Sequence, residues 1–517
     1  MYPCSKQWVE AHQKSFLSET NVEITLWVVT DLSQVDSVEG DAGQASFSNP
    51  ERIVKYLGYR NYRPTLERNL WSLKGQASFT ARDAFVGENE ESAVTIRLRE
   101  VTDEEIPGLT IIWSDHDVLG YATKYHITAS RGGVVVANGL YSNTVEGRIS
   151  TPDFEVGGYD TISIRVIEWS LPQRRHRISG VYLGHKLVFD KSNLLSYEQE
   201  QIGDPNSAEI TQNKIRFSLT NFNGEWDLSN PKGIGKYLAE RLRVDVRYAT
   251  SVRSGIEWIP AGTFFLAEWN APSTGHAITF VAKDPIGFVS DTEVGDEWEN
   301  TKTTSLASLF TSVLTNIQNM GIGVSHRYER LNDLPFVMPD PKTTGSEIVQ
   351  MCANAACCLI RYPRDNPGWI YLTSSTEQDQ EFTIPIALSY SYPEIILGKP
   401  LKEISVSYGD KDRYVLDVGR WGETQTIDNP LVADQETARK IAELAKSTFL
   451  ARTKLKGSFR SDPRLDVYDI VTVEGKYGMV YPVMLTYIKY TYTGSFKADY
   501  EGLVLTDYEE ASSCWDS

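Results

Sequence analysis

Between residues 93 and 189 the chain repeats one pattern: a short segment of apolar, β-branched or aromatic residues, then a break carrying Gly or Pro. The segments fall at 94–98, 109–113, 125–129, 134–137, 161–167 and 178–183, and the breaks include Pro107-Gly108, Arg131-Gly132-Gly133 and Val156-Gly157-Gly158. A surface helix needs apolar residues at i, i+3 and i+4, and no such spacing lies between these segments. Short strands at regular intervals without helices predict one β-sandwich of jelly-roll type over 93–189.

Alternation returns at 213–220, 242–248, 263–269 and 277–282, punctuated by Asn223-Gly224, Asn230-Pro231 and Pro260-Ala261-Gly262, so 190–290 reads as a second all-β unit. A helical period first emerges at 303–319, where Leu306, Leu309, Phe310, Val313, Leu314 and Ile317 share one face. Thr344-Gly345-Ser346-Glu347 has the form of a capping box opening a helix to about residue 356, and 369–373 reads as a strand. Residues 291–400 are therefore expected as a small α+β domain. Past 401, Ile404, Val406 and Tyr408 alternate, and a helix over 433–450 places Ala438, Ile441, Ala442, Ala445 and Phe449 together. Asp434 and Glu436 at its start and Lys446 near its end suit the helix dipole. Strands at 467–474, 480–493 and 496–505 complete a last β unit, 401–517. Ahead of all this, 1–92 holds a short amphipathic segment, a first strand over 21–30 and an irregular polar arm anchored by Phe47, Tyr56, Leu66, Leu70, Trp71 and Leu73. The fold class expected is mainly β and multidomain, with a jelly-roll-like sandwich, two β-barrels and one small α+β domain.

At 517 residues the chain has length for three to four domains of roughly 150 residues each. Lys and Arg number 51 against 69 Asp and Glu, a formal charge of −18 with no basic footprint, which argues against wrapping nucleic acid. No apolar run approaches the roughly 18 residues of a spanning helix, and Met-Tyr-Pro-Cys-Ser-Lys-Gln-Trp-Val-Glu lacks the apolar core of a signal peptide. Folding in a cytosol without membrane insertion is the expectation. Cys4, Cys352, Cys357, Cys358 and Cys514 are too few and too clustered for a disulfide framework, so they read as reduced thiols.

Reactive motifs are sparse. In Lys232-Gly-Ile-Gly-Lys236 a phosphate loop fails because Asn230 stands at the first Gly position and Tyr237 at the magnesium-binding hydroxyl. A calcium loop at Asn221-x-Asn223-Gly224 would begin at Leu219 and end at Asn230, so a turn is the better reading. Cys352, Cys357 and Cys358 lack a second Cys or His cluster for zinc and read as small packing residues. Asp115-His116-Asp117, between Trp113 and Tyr121, is the best metal or sugar candidate, although adjacent side chains in extended chain point opposite ways. Arg174-Arg175-His176-Arg177 is a compact basic run suited to acids of a neighbouring subunit. There is no G-x-S-x-G, no H-E-x-x-H and no positive case for a catalytic residue, a metal or a cofactor.

The order of several short motifs carries a resemblance. Arg63-Pro-Thr-Leu-Glu-Arg-Asn-Leu-Trp-Ser-Leu-Lys-Gly-Gln comes first, then Ile106-Pro-Gly-Leu-Thr-Ile-Ile-Trp-Ser and Arg216-Phe-Ser-Leu-Thr-Asn-Phe-Asn-Gly-Glu-Trp-Asp. Ile259-Pro-Ala-Gly-Thr-Phe-Phe-Leu-Ala-Glu-Trp, Phe280-Val-Ala-Lys-Asp, Ile427-Asp-Asn-Pro-Leu-Val and Asp462-Pro-Arg-Leu-Asp-Val-Tyr-Asp-Ile-Val-Thr-Val follow. Together they resemble the tail-tip and baseplate hub proteins, or distal tail proteins, of tailed bacteriophages, particularly those of Gram-positive hosts. The resemblance implies two tail-tube-like barrels, over 190–290 and 401–517, in a structural virion protein of the tail tip or baseplate. Such a hub or adaptor joins the tail tube to receptor-binding parts around the DNA channel. It implies a homotrimer whose six barrels match a six-fold tube, partners among tail tube, distal tail, tape measure and receptor-binding proteins, and DNA passing without specific binding. No peptidase or lysozyme module follows Asp507, which counts against a lytic role. The rivals are a carbohydrate-binding host-recognition protein and a glycan-cleaving enzyme of the tail tip. Arg177-Ile-Ser-Gly-Val-Tyr-Leu-Gly resembles the closing strand of galactose-binding-like sandwiches. On that resemblance Trp113 and Tyr121 are expected to stack on host-surface glycan, with Asp115 and Asp117 as its polar contacts. Trp226 and Trp269 are expected to pack in core or interface.

Overall fold

The computed structural model describes residues 1–505 apart from 15–17, 30–34, 41–62, 65–70, 73–78, 81–91, 103–105, 107, 114–119, 144–148, 171–176, 179, 223, 228–229, 231–232, 271–275, 292–304, 320–321, 323, 329, 341, 365–368, 374–381 and 461. The chain is mainly β and divides into two compact units: Leu26–Leu187 with Ile234–Leu238, and Met1–Thr25 with Val188–Gly233 and Ala239–Ser517.

The first of these units is built on a five-stranded antiparallel sheet in the order Val35–Gly40, Ser92–Thr102, Tyr159–Trp169, Ala122–Arg131, Val134–Ser142. The register explains why the alternating pattern folds this way. Ile164 lies opposite Val94 on one side and Ile127 on the other, and Ile162 opposite Ile96 and Ala129, so each apolar set lands on one buried face. Three further strands, Ile149–Ser150, Leu109–Ile112 and Gly180–Phe189, pair in that order and add Leu109, Ile111, Val181 and Leu183 to the same core. The turn between Arg131 and Val134 takes only Gly132 and Gly133, at φ 56° and 83°; a two-residue hairpin whose twist matches its strands needs positive φ at both places.

In the other unit the strand order is Arg243–Val252, Gly255–Asn270, Ala277–Lys283, Gln212–Thr220, Leu194–Ile202, Val480–Tyr492, Phe496–Val504, Thr453–Arg460, Glu394–Leu397. The two regions expected as separate barrels are thus one sheet. They meet where Tyr197 faces Tyr492, Gln199 faces Tyr490 and Gln201 faces Ile488. Closing a barrel requires its first and last strands to pair; here the edge strand Leu194–Ile202 pairs outward instead, and no ring of strands closes among the described residues. Alternation reveals that a segment is a strand, and it is silent about which neighbour completes the ladder.

Side chains under the seam are fully committed. The hydroxyls of Tyr197 and Tyr248 are 2.9 Å apart, and both donate to Gln199 Oε1. Arg364 donates through Nε and Nη2 to Asp466 Oδ1 at 2.9 and 2.6 Å, and through Nη1 and Nη2 to the carbonyls of Pro463 and Leu465. Burial pushes the Asp466 carboxyl up, and the Arg364 guanidinium overrides that effect and holds it below the usual carboxylate range. Beside it, Arg464 grips Asp462 with Nε and Nη2, and Trp8 Nε1 donates to Asp462 Oδ1 at 3.1 Å, docking the N-terminal helix Lys6–Gln13.

The helices form a separate layer of this unit. Leu306–Asn319 and Gly345–Ala355 fall where the 3.6 period places them, and the capping box is complete: Glu347 N donates to Thr344 Oγ1 and Thr344 N to Glu347 Oε2. Helix Gln435–Leu450 starts at its N-cap Asp434. Strand Leu401–Tyr408 pairs with Asp412–Asp417 and, in parallel, with Glu423–Asn429. Its Ile404 and Val406 share a core with Phe310, Ile348 and Ile441, so this strand belongs to the helical layer and not to the long sheet.

One buried carboxyl yields a pH prediction. Asp284 follows strand Ala277–Lys283 and caps the 3-10 turn Pro285–Asp291, its Oδ1 accepting from Gly287 N at 2.9 Å. It is 1% exposed, and burial pushes its pKa up to about 7. An unfolded Asp titrates near about 3.9, so between roughly pH 4 and pH 7 the folded state keeps a proton that the unfolded state has lost. This group's contribution to stability is full below about pH 4 and declines as pH rises, by up to about 1.4 kcal/mol per unit. Asp284→Asn retains a capping oxygen and removes the titration. Urea midpoints of the wild type and this variant from pH 4.5 to 7.5 are expected to diverge in the variant's favour as pH rises; parallel curves would refute the assignment.

Candidate functional site

Of the sugar site expected in the sandwich, Trp113 presents no free ring. Leu109, Ile111 and Trp113 alternate inward, and Trp113 ends fully buried, its Nε1 donating to Ser150 Oγ at 2.7 Å and its ring edge-on to Tyr125 and Trp169. A ring with no exposed face cannot stack on a pyranose. Tyr121 is half-buried against the same core, and Asp115 and Asp117 lie outside the described residues. The i, i+2 spacing of Leu109, Ile111 and Trp113 is the signal that places Trp113 inside. Arg174, Arg175 and His176 also lie outside the described residues.

Trp226 is buried between Phe189 and Phe280, at ring distances of 5.7 and 5.3 Å, while Trp269 is half-buried opposite Phe280. At Asn221 the chain turns as expected: Gly224 N donates to Asn221 O, Trp226 N donates to Asn221 Oδ1, and Gly224 sits at φ 65°. Phe222 in this turn is exposed. Cys352 and Cys358 are buried in the helical core, where burial pushes the Cys352 thiol up. Among the described residues no three His, Cys, Asp or Glu side chains come together as a metal site.

What the structure does bring together is an apolar strand edge. Glu394–Leu397 pairs on one side with Thr453–Arg460 and, among the described residues, ends the long sheet. All four of its residues are exposed, Leu397 at 69% and Ile395 at 51%. Tyr390 and Tyr392 precede it, also exposed, with Lys497 Nζ 5.9 Å from the Tyr390 ring and Lys476 Nζ 5.0 Å from that of Tyr392. The Lys476 contact brings in the turn that carries exposed Tyr477, Met479 and Val480. An edge strand has unpaired backbone donors and acceptors, and soluble chains normally blunt it with charge, Pro or a bulge. Here the blunting residues are few and apolar side chains flank the open ladder, a combination that marks an interaction surface. In the sandwich, the edge strand Val134–Ser142 repeats the feature with Val134, Val135, Val136 and Leu140 exposed. Neither edge is legible in the sequence, because an exposed apolar strand and a buried one share the same composition.

No family model matches the chain, and no curated protein matches it. Among solved structures it is similar to the 43 kDa tail protein of prophage MuSo2 from Shewanella oneidensis, at 11% identity, covering 61% of this chain and 95% of that one with a TM-score of 0.42. It is similar also to a tail protein from Neisseria meningitidis, at 12% identity, 62% and 94% coverage and a TM-score of 0.42. A third is prophage tail protein gp18 from Listeria monocytogenes, at 12% identity, 64% and 94% coverage and a TM-score of 0.40. The chain resembles phage tail proteins, and these likenesses do not single out Gram-positive hosts.

Core and edge residues should separate cleanly in stability. Trp226→Ala is expected to lower the unfolding free energy by about 3 to 5 kcal/mol, whereas Leu397→Glu should stay within about 0.5 kcal/mol of wild type because the side chain is already in water. Chemical denaturation of the three proteins measures both; an unaltered midpoint for Trp226→Ala, or a large loss for Leu397→Glu, contradicts the burial described.

Proposed function

We propose that this chain is a structural protein of a phage tail or tail-like particle, a hub or adaptor of the tail tip that acts by assembly and not by catalysis. The observation that carries the reading is the open, apolar edge Glu394–Leu397, with Tyr390 and Tyr392 beside it. A neighbouring subunit that adds its own strand satisfies the ladder and buries those side chains in one step, as obligate assemblies do. The tail setting rests on the ordered motifs from Arg63 to Val473. In that setting three chains, each contributing the two halves of its long sheet, present six tube-like sectors to a six-fold tube. The acidic surplus behind the −18 charge faces the channel, where repulsion from phosphate keeps DNA moving. Tail tube, distal tail, tape measure and receptor-binding proteins are the partners of such a part. The glycan-binding alternative is weakened by the burial of Trp113.

Particle assembly tests the proposal. Leu397→Glu places a charge on the joining edge, and particles produced with it are expected to lack this chain or its tail tip, while the purified variant melts like wild type. A map of wild-type particles should show three copies per ring around an acidic lumen. Normal incorporation of Leu397→Glu, or six copies per ring, would sink it.

A further inference from the structure

The outer face of the long sheet arranges its charges by one rule. Along one row Asp499, Lys489, Glu200 and Lys214 stand on successive strands, each opposite the next, so the sign alternates from strand to strand. A second row runs Glu501, Lys456, Glu394 and ends at the open edge. The inner carboxylates are matched. Lys214 Nζ lies 2.6 Å from Glu200 Oε2, Lys489 Nζ 3.1 Å from Glu198 Oε2 and Lys497 Nζ 2.9 Å from Asp499 Oδ1, while Lys456 Nζ is paired with Glu501 Oε1. With Lys456 engaged there, Glu394 is exposed and stands in no ion pair among the described residues. An open groove of about 290 Å³ lies beside it, and the charged side chains on its walls are Glu394, Asp499, Glu501 and Lys456, three acids against one base.

A strand added at Glu394–Leu397 extends each row by one place. Opposite Glu394 a cation continues the alternation, an acid repeats the charge, and an apolar residue sets a carboxylate against hydrocarbon. Ile396 shares the side of Glu394, and Ile395 and Leu397 share the other, so apolar residues suit the remaining positions. One charge on an otherwise apolar edge therefore selects among strands and does not close the edge to all of them. Among the described residues, the longer edge strands of this chain do not supply the match. Val35–Gly40, Val134–Ser142 and Glu423–Asn429 carry no Lys or Arg, and on Asp412–Asp417 the Nε of Arg413 donates to Ser405 Oγ.

We infer, on the assembly reading above, that this edge docks a strand of a different protein, one that carries Lys or Arg opposite Glu394 between apolar residues. The probe is the peptide acetyl-Ser-Ile-Val-Lys-Val-Ile-Ser-amide, whose side chains present the same order in either strand direction. It is titrated into the full-length protein beside two counterparts with Gln or Glu in place of Lys, and hydrogen exchange of the Glu394–Leu397 amides locates the bound peptide. The Lys peptide is expected to bind about threefold more tightly than the Gln peptide and about tenfold more tightly than the Glu peptide, as exposed cross-strand charges do. The preference should shrink near 1 M salt, where the screening length is about 3 Å. Glu394→Gln should level the three peptides and Glu394→Lys should reverse their order; both changes fall on an exposed side chain. Equal binding of the three peptides by wild type, binding that leaves Glu394–Leu397 unprotected, or no binding up to about 10 mM overturns the inference. So does self-association of the purified protein that Leu397→Glu abolishes, which would make a second copy the occupant. If the peptides bind alike while particles still exclude Leu397→Glu, only the charge requirement falls; normal incorporation of that variant refutes the assembly reading itself.

Discussion

The pairing of Leu194–Ile202 with Val480–Tyr492 is the constraint on which the rest of the larger unit depends. It joins segments that lie far apart in the chain, so the entropy of closing a long loop opposes it. A six-pair register opposes that entropy, and so do the buried hydroxyl network of Tyr197 and Tyr248 and the ion pair of Arg364 with Asp466. The segment Asp462-Pro-Arg-Leu-Asp turns carbonyls and carboxylates inward, and each is matched by a guanidinium or an indole: Arg364 for Asp466, Pro463 and Leu465, and the segment's own Arg464 with Trp8 for Asp462. Removing one partner would strand the others in low dielectric, where an unpaired charge costs several kcal/mol. The docking of the N-terminal helix and the continuity of the sheet are therefore two results of one polar cluster.

Joining the two halves at the seam uses one edge of each and leaves an outer edge on show. A sheet grows until something blocks it, and the blocking devices of charge and proline are thin along Glu394–Leu397, where Glu394 is followed by Ile395, Ile396 and Leu397. The lysines above Tyr390 and Tyr392 keep their charge in water while covering part of each ring. Such an edge can accept a strand from a neighbour, which is the physical basis for reading this chain as a building part.

Much of the local structure was legible. The helices at Leu306–Asn319, Gly345–Ala355 and Gln435–Leu450, with the caps at Thr344 and Asp434, follow from period and capping chemistry that act over a few residues. The strands of the sandwich follow from alternation in the same way, and Trp226 and Cys352 sit in cores as their types suggest. Trp113, expected at a sugar site, is instead buried, on the inward face it shares with Ile111 and Leu109 two and four residues earlier. The sequence by itself determined the element types and their polarity, since these depend on side-chain spacing along the chain. Only the tertiary structure decided that two β regions share one sheet, that Leu401–Tyr408 joins the helices, and that Glu394–Leu397 is left open among the described residues. Those outcomes turn on which hydrogen-bonding edge meets which, and every strand offers the same backbone groups whatever its sequence.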